Sequence, residues 1–249
     1  MANKISEKSI GFFLQARLNS TRLPEKLFLT LKDKSILIHI LERLRTLRGW
    51  YDYLVVLVPS QEFERIQNHI QVFPDIIVFA GDPDNVLKRF YDANKKLNVD
   101  VIVRLTGDNP LVDVLHLKKA LTAHLKAQVD YTAYTNLPLG AGFEILNREV
   151  LNMVYNGARE PHQLEHVTPY IREHKDIFKV QELKASGIYN MPGLRLTIDE
   201  ESDYVLMQVI FDNLYKGEPI PLKQVIKFLQ QYPEYAKINE GVRQKGLKE

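Results

Sequence analysis

Apolar positions along this chain follow two rhythms. Short continuous runs, Ile10–Gln15, Tyr53–Val58, Ile76–Ala80 and Val99–Leu105, read as buried strands. Between them lie stretches of helical spacing. Ser35–Arg48 carries Ile36, Ile40, Leu41, Leu44 and Leu47, and Asn85–Leu97 carries Val86, Phe90 and Ala93. Val112–Ala127 repeats the pattern with Leu115, Ala120, Leu121 and Leu125, whereas Gln61–Gln71 is only weakly helical. Asp130–Asn136 adds a strand of β-branched and aromatic residues. This alternation up to residue 136 predicts an α/β fold, a mostly parallel sheet with helices on both faces. Such sheets bind ligands beyond the carboxyl ends of their strands, which singles out loops 16–26, 81–85 and 107–110.

The rhythm changes after residue 137. Strands are expected at Gly142–Leu146, Phe178–Leu183 and Arg195–Ile198, and helices at Arg148–Asn156 and Pro161–His174. Leu206, Val209, Ile210 and Leu214 mark a further helix and Pro221–Gln231 the last, before a charged tail at Arg243–Glu249. With no internal repeat and no Gly/Ser/Pro-rich linker, one domain over 1–249 with an inserted lobe at about 137–190 is expected.

Composition removes several classes. The 249 residues are 45% apolar and 26% charged, the ordinary globular balance. A net charge of +2 gives no footing to a dedicated nucleic-acid binder. The absence of cysteine excludes disulfides, thiolate metal sites and cysteine nucleophiles. No run approaches the ~20 apolar residues of a membrane span, and Met1–Lys8 lacks the apolar core of a signal peptide, so the expected location is the cytoplasm.

The charge that exists is unevenly placed. Between Gln15 and Lys34, Arg17, Arg22, Lys26, Lys32 and Lys34 face only Glu25 and Asp33. Guanidinium forks and a lysine point charge, with Asn19, Ser20 and Thr21 as short polar donors, suit a polyphosphate; a solvated basic loop is the plainer alternative. Neither GxxxxGKS/T nor GxGxxG is present, and no GxSxG marks a hydrolase.

The segment Leu14–Lys26 (LQARLNSTRLPEK) resembles the opening signature of the CTP-dependent sugar cytidylyltransferases, which include the acylneuraminate and 3-deoxy-manno-octulosonate activating enzymes. The closest resemblance is to the branch of SpsF-type spore coat polysaccharide biosynthesis proteins. Further matching blocks follow in order: GDPDNVLKRF (81–90), VRLTGDNPL (103–111), EHVTPY (165–170) and RLTID (195–199), so the similarity spans about residues 10–215. It implies the Rossmann-like nucleotide-diphospho-sugar transferase fold, transfer of CMP from CTP to a sugar acid or related sugar, Mg²⁺ as cofactor, and a homodimer.

The resemblance also implies roles. Arg17 and Lys26 would contact the CTP phosphates with Ser20 and Arg22 in support, and backbone near Leu14 and Ala16 would face the base. Gly107 belongs to the same nucleotide site. Asp108 and Asp199 would hold the metal, although Asp108 also reads as a turn residue and Asp199 as a helix N-cap. Asp84 and Asn85 would line the pocket or cap the next helix. Arg104, Glu144, Glu165 and His166 would serve the acceptor, Thr106 lying beside Arg104. The sequence departs from the family at Glu25, usually glycine, and at Leu164, where many relatives carry arginine. Two readings compete: a glycosyltransferase using the DxD of Asp82 and Asp84, and a non-catalytic nucleotide-binding protein. His162-Gln163-Leu164-Glu165-His166 also matches the HxxEH zinc pattern, with nothing else in support.

Overall fold

The computed structural model describes residues 7–20, 22–244 and 246. Among the described residues the strands are β1 (Ile10–Gln15), β2 (Thr30–Leu31), β3 (Lys34–Ser35), β4 (Tyr53–Pro59), β5 (Ile77–Gly81), β6 (Val101–Thr106), β7 (Tyr131–Thr135), β8 (Glu144–Asn147) and β9 (Val180–Lys184). The α-helices among the same residues are α1 (Ile36–Arg45), α2 (Phe63–His69), α3 (Val86–Leu97), α4 (Val114–Ala127), α5 (Arg148–Gly157), α6 (Pro161–His166), α7 (Pro169–Glu173), α8 (Glu201–Leu214), α9 (Leu222–Gln231) and α10 (Pro233–Ala236). Seven strands form one sheet in the order β5-β4-β1-β6-β8-β7-β9, and β2 and β3 form a separate hairpin. β5, β4, β1 and β6 run parallel; β8 pairs antiparallel with β6 and β7, and β9 runs parallel to β7.

Both faces of the sheet are covered at its centre, where β1, β4 and β6 are apolar on both sides. Phe12 and Leu14 of β1 point into one core with α1, α4, α8 and α9, while Phe13 points into the other with α3, α5 and α7. Helix starts follow local chemistry. Ser35 accepts from the Ile38 amide, Asn85 from Lys88 and Asp113 from Leu115, each satisfying a donor that the first turn leaves free.

β1 lies between β4 and β6, so the chain leaves it in opposite directions and a crevice opens beyond its carboxyl end. The loops after β1 and β6 are tied there by the Gly107 amide, which donates to the Gln15 carbonyl at 2.8 Å. A Cβ on Gly107 would stand 2.9 Å from Leu27 Cδ2 and 3.1 Å from that carbonyl, so glycine permits the approach.

Two expectations are corrected. The helix predicted over 161–174 is two helices, α6 and α7, broken at Val167 with φ 68° and ψ −51°. Pro169 lacks the amide needed to continue α6 and starts α7 instead. Arg195–Ile198 is not a strand: it makes one parallel bridge, Leu139 to Arg195. Its neighbour is the loop around Gly140, which offers no ladder. At the C-terminal end, Gln244 accepts from Arg195 at 2.6 Å, whereas Lys245 and 247–249 lie outside the described residues, as does Thr21. No helix among the described residues is long and apolar enough to cross a membrane.

Candidate active site

A cleft of about 510 Å³ opens at the carboxyl ends of β1 and β6. Arg17, Ser20, Arg22 and Lys26 form one wall, Arg104 and Thr106–Asn109 the floor, and Glu165, His166, Thr197 and Asp199 the far side. Ten of the residues expected at the site therefore meet: Arg17, Ser20, Arg22, Lys26, Arg104, Gly107, Asp108, Glu165, His166 and Asp199. Leu14, Ala16, Asp84 and Asn85 do not line it. Leu14 is fully buried within the sheet, and the Ala16 amide is engaged by the Leu57 carbonyl at 3.0 Å. Asn85 caps α3.

The loop after β1 is pinned by Glu62, whose buried carboxylate accepts from the amides of Leu18 (2.6 Å) and Asn19 (3.1 Å). Nothing near Glu62 in the chain announces this role. Glu25 sits at φ 53°, ψ 23°, a left-handed conformation that glycine adopts without the steric cost a Cβ brings. Its side chain pairs with Arg65 at 2.8 Å, on the exposed surface.

At the centre, Lys26 donates to the Ile198 carbonyl (2.7 Å) and Asp199 Oδ1 (3.0 Å), with Asp108 Oδ2 at 3.7 Å. Asp199 also meets Arg195 on Oδ2 (3.0 Å) and Arg22 on Oδ1 (3.4 Å). Burial alone would raise the Asp199 carboxyl; the three cations outweigh it and hold the pKa below its ordinary value. The N-cap of α8 is Glu200, in a capping box with Asp203, so the Asp199 carboxylate is not consumed as a cap. Asp108 does serve its turn, but with one oxygen: Thr106 Oγ1 donates to Oδ1 at 2.6 Å, leaving Oδ2 toward Lys26.

Behind Asp199 stands a buried brace. Asp203 accepts from Arg195 Nε (2.8 Å) and Nη2 (2.9 Å), from Asn239 Nδ2 (2.8 Å), and from the amides of Asp199 (3.0 Å) and Glu200 (3.1 Å). Gly140 brings this segment to the site. At φ +93° its Cβ would fall 2.4 Å from the Thr197 amide nitrogen, so only glycine admits the contact. Asp203 and Gly140 were not among the expected site residues.

The acceptor candidates divide between two cavities. Arg104 lines both this cleft and a neighbouring cavity of about 370 Å³ that also holds Glu144, Tyr131, Tyr134 and Arg172. Arg104 Nη1 donates to Glu144 Oε2 at 2.6 Å; Tyr131 and Thr168 hydroxyls donate to Oε1. Burial pushes the Glu144 carboxyl up, but Arg104 and Arg172 bring it below the usual range. Arg17 reaches Glu165 at 3.2 Å, both about half exposed. His166 enters the cleft from a strained γ-turn: the Thr168 amide donates to the His166 carbonyl at 2.8 Å across left-handed Val167. Burial, helped by Arg104 and Arg17, lowers the imidazole pKa.

The competing motifs dissolve into turns and pairs. Asp82 Oδ1 accepts from the amides of Asp84 (3.1 Å) and Asn85 (2.9 Å), an Asx turn that starts α3. His162 pairs with Glu173 at 2.7 Å, away from His166's place in the cleft. Among the described residues no group of three or more His, Cys, Asp or Glu is arranged to hold a metal ion.

The geometry has counterparts. The chain is 38% identical over 245 residues to an uncharacterized protein of Methanocaldococcus jannaschii, covering 97% of this chain and 98% of that one. It is 33% identical over 236 residues to the spore coat polysaccharide biosynthesis protein SpsF of Bacillus subtilis, covering 93% and 98%. A solved cytidylyltransferase from Leptospira borgpetersenii superimposes with a TM-score of 0.85 at 28% identity, covering 96% of this chain and all of that one. The cytidylyltransferase family model matches residues 12–238, a stretch that starts within β1 and includes Lys26, Asp108, Asp199 and Asp203. A cationic loop, two acids that meet beside it in one cleft and this overall match lead to one assignment: the chain belongs to the cytidylyltransferase family.

Proposed function

We propose that the protein transfers CMP from CTP to a hydroxyl of a sugar acid or related sugar, releasing pyrophosphate. The observation that carries this reading is the meeting in one cleft of Arg17, Arg22 and Lys26 with Asp108 and Asp199. The acceptor oxygen forms a bond to the α-phosphorus as the bond to the β-phosphate oxygen breaks, and the protein contributes positioning and fixed charge. Arg17 and Lys26 neutralise the departing pyrophosphate, with Arg22 and Ser20 in support. Gly107, lacking a side chain, lets the nucleotide lie close to the floor. Arg104 and Glu144 join the cleft to the neighbouring cavity, where the acceptor lies, and Glu165 and His166 close the rim.

Asp108 and Asp199 would hold the divalent ion. Each offers a hard carboxylate oxygen to the same point, and the Ile198 carbonyl is a third oxygen there, a donor set that suits Mg²⁺ completed by phosphates and water. When bound, the ion supplies Lewis-acid stabilisation of phosphoryl charge. Mg²⁺ rather than Mn²⁺, a homodimer with residues at about 137–190 shaping the acceptor side and the interface of a single domain, and a cytoplasmic location rest on the resemblance and the composition. The Asx turn at Asp82 speaks against a glycosyltransferase DxD, because that carboxylate is already engaged by backbone amides.

Thermal-shift measurements with CTP, UTP, ATP and GTP, each with and without Mg²⁺, test the nucleotide. CTP should raise the midpoint most. Pyrophosphate release with CTP and 3-deoxy-manno-octulosonate or acylneuraminates tests the acceptor. Arg17→Ala should cost on the order of 10²–10³ in rate, by analogy with loss of one preorganised donor. Its half-exposed pair with Glu165 should leave stability within about 1 kcal/mol. A larger shift with another nucleotide, or with a nucleotide sugar, would refute the reading.

A further inference from the structure

Lys26 occupies the point toward which both carboxylates turn. Its ammonium lies 2.7 Å from the Ile198 carbonyl, 3.0 Å from Asp199 Oδ1 and 3.7 Å from Asp108 Oδ2, and its side chain is only 10% exposed. The oxygens around it are held from behind by other groups. Asp108 Oδ1 is fixed by Thr106 and Asp199 Oδ2 by Arg195. The two segments are joined by backbone, the Ile198 amide donating to the Asp108 carbonyl at 2.9 Å. Three oxygens thus stay gathered whether or not the lysine is among them.

A lysine ammonium and a divalent cation cannot share that point, because like charges repel and both need the same lone pairs. Resting on the reading of Asp108 and Asp199 as metal carboxylates, we propose that Lys26 is a resident cation that keeps the metal site closed in the nucleotide-free protein. Arrival of a triphosphate gives the ammonium a better partner. Lys26 then swings from the carboxylates to the phosphate oxygens, and the vacated oxygens accept a divalent ion. Arg22 also stands 3.4 Å from Asp199 Oδ1, but its guanidinium is anchored by Glu200 at 3.1 Å, so it stays at the side of that oxygen and leaves the point between the two carboxylates to Lys26. Metal binding is therefore coupled to nucleotide binding through one side chain, and by linkage the coupling is reciprocal.

The inference makes two effects of one substitution point in opposite directions. Lys26→Met keeps the chain length and removes the charge. It should weaken CTP binding and, without nucleotide, bind Mn²⁺ at least tenfold more tightly than the parent, read by the loss of free Mn²⁺ signal in electron paramagnetic resonance. The gain should vanish in Lys26→Met/Asp199→Asn, which places the ion between the same oxygens. Equal or weaker Mn²⁺ binding by Lys26→Met, or a gain that survives Asp199→Asn, overturns the proposal. The unaltered protein supplies a check that needs no variant. Amine labelling read by mass spectrometry should find Lys26 protected in the free protein and exposed by saturating Mn²⁺; protection that persists at saturation also overturns it. A protein that releases pyrophosphate from CTP yet fails these Mn²⁺ tests loses only this inference. One that no nucleotide stabilises loses the reading beneath it.

Discussion

Asp203 offers the sharpest test of how the site is held. Its carboxylate accepts five hydrogen bonds, two from Arg195, one from Asn239 and one each from the Asp199 and Glu200 amides, and it is 1% exposed. Asp203→Asn is nearly isosteric, so packing is conserved. In either orientation, however, the new amide NH₂ faces at least two donors, and the Arg195 guanidinium loses its buried counter-charge. Breaking a buried pair by removing one partner costs about 3–5 kcal/mol. For a chain of this size that lowers the midpoint by roughly 6–20 °C, at about 2–4 °C per kcal/mol. Differential scanning calorimetry measures it directly. The same variant frees the Asp199 amide, so it should also weaken CTP binding in the presence of Mg²⁺. A midpoint within about 3 °C of the parent would show that Asp203 does not brace the site and that the ion pair is dispensable.

Three other consequences are open to measurement. Glu25→Gly should be more stable than Glu25→Ala by about 1 kcal/mol, because both lose the exposed Arg65 pair but only alanine keeps the left-handed strain; equal midpoints would refute the conformation. Gly140→Ala should destabilise by more than about 1 kcal/mol and weaken CTP binding, since its Cβ meets the backbone that carries Asp199; chemical denaturation with CTP titration reads both, and a neutral result would deny the close approach. His39, His69, His124 and His166 all have pKa values lowered below the ordinary 6.5, chiefly by burial. The unfolded chain then binds more protons than the folded one, so stability is full above about pH 6.5 and falls as pH drops below it, before the depressed carboxylates of Asp199 and Asp203 contribute their own loss at lower pH. A midpoint flat between about pH 7.5 and 5 would contradict this.

The parallel half of the sheet was legible in the sequence because its signals are local. The run Ile10–Gln15 is β1 to the residue, and Ser35, Asn85 and Asp113 cap helices whose apolar spacing was already visible. The cationic loop was legible for the same reason: its charges are neighbours in the chain. Five blocks in family order supplied the function. Local patterns misled where contacts with distant residues decided the outcome. RLTI of 195–198 has strand composition, yet the tertiary structure lays it against a glycine loop, where it carries Asp199 rather than extending a ladder. The continuous helical pattern of 161–174 is broken by a left-handed valine that sets His166 at the cleft.

What the sequence by itself determined is the alternation of strand and helix, the positive loop after β1 and the membership of a family. Only the tertiary structure decided that Lys26, Asp108 and Asp199 share one point, that Glu62 and Asp203 hold the loops that carry them, and that Asp82 folds a turn. The reason is physical: helix periodicity and caps depend on residues a few positions apart, whereas convergence depends on backbone pairings such as Ile198 with Asp108, whose partners no local pattern names.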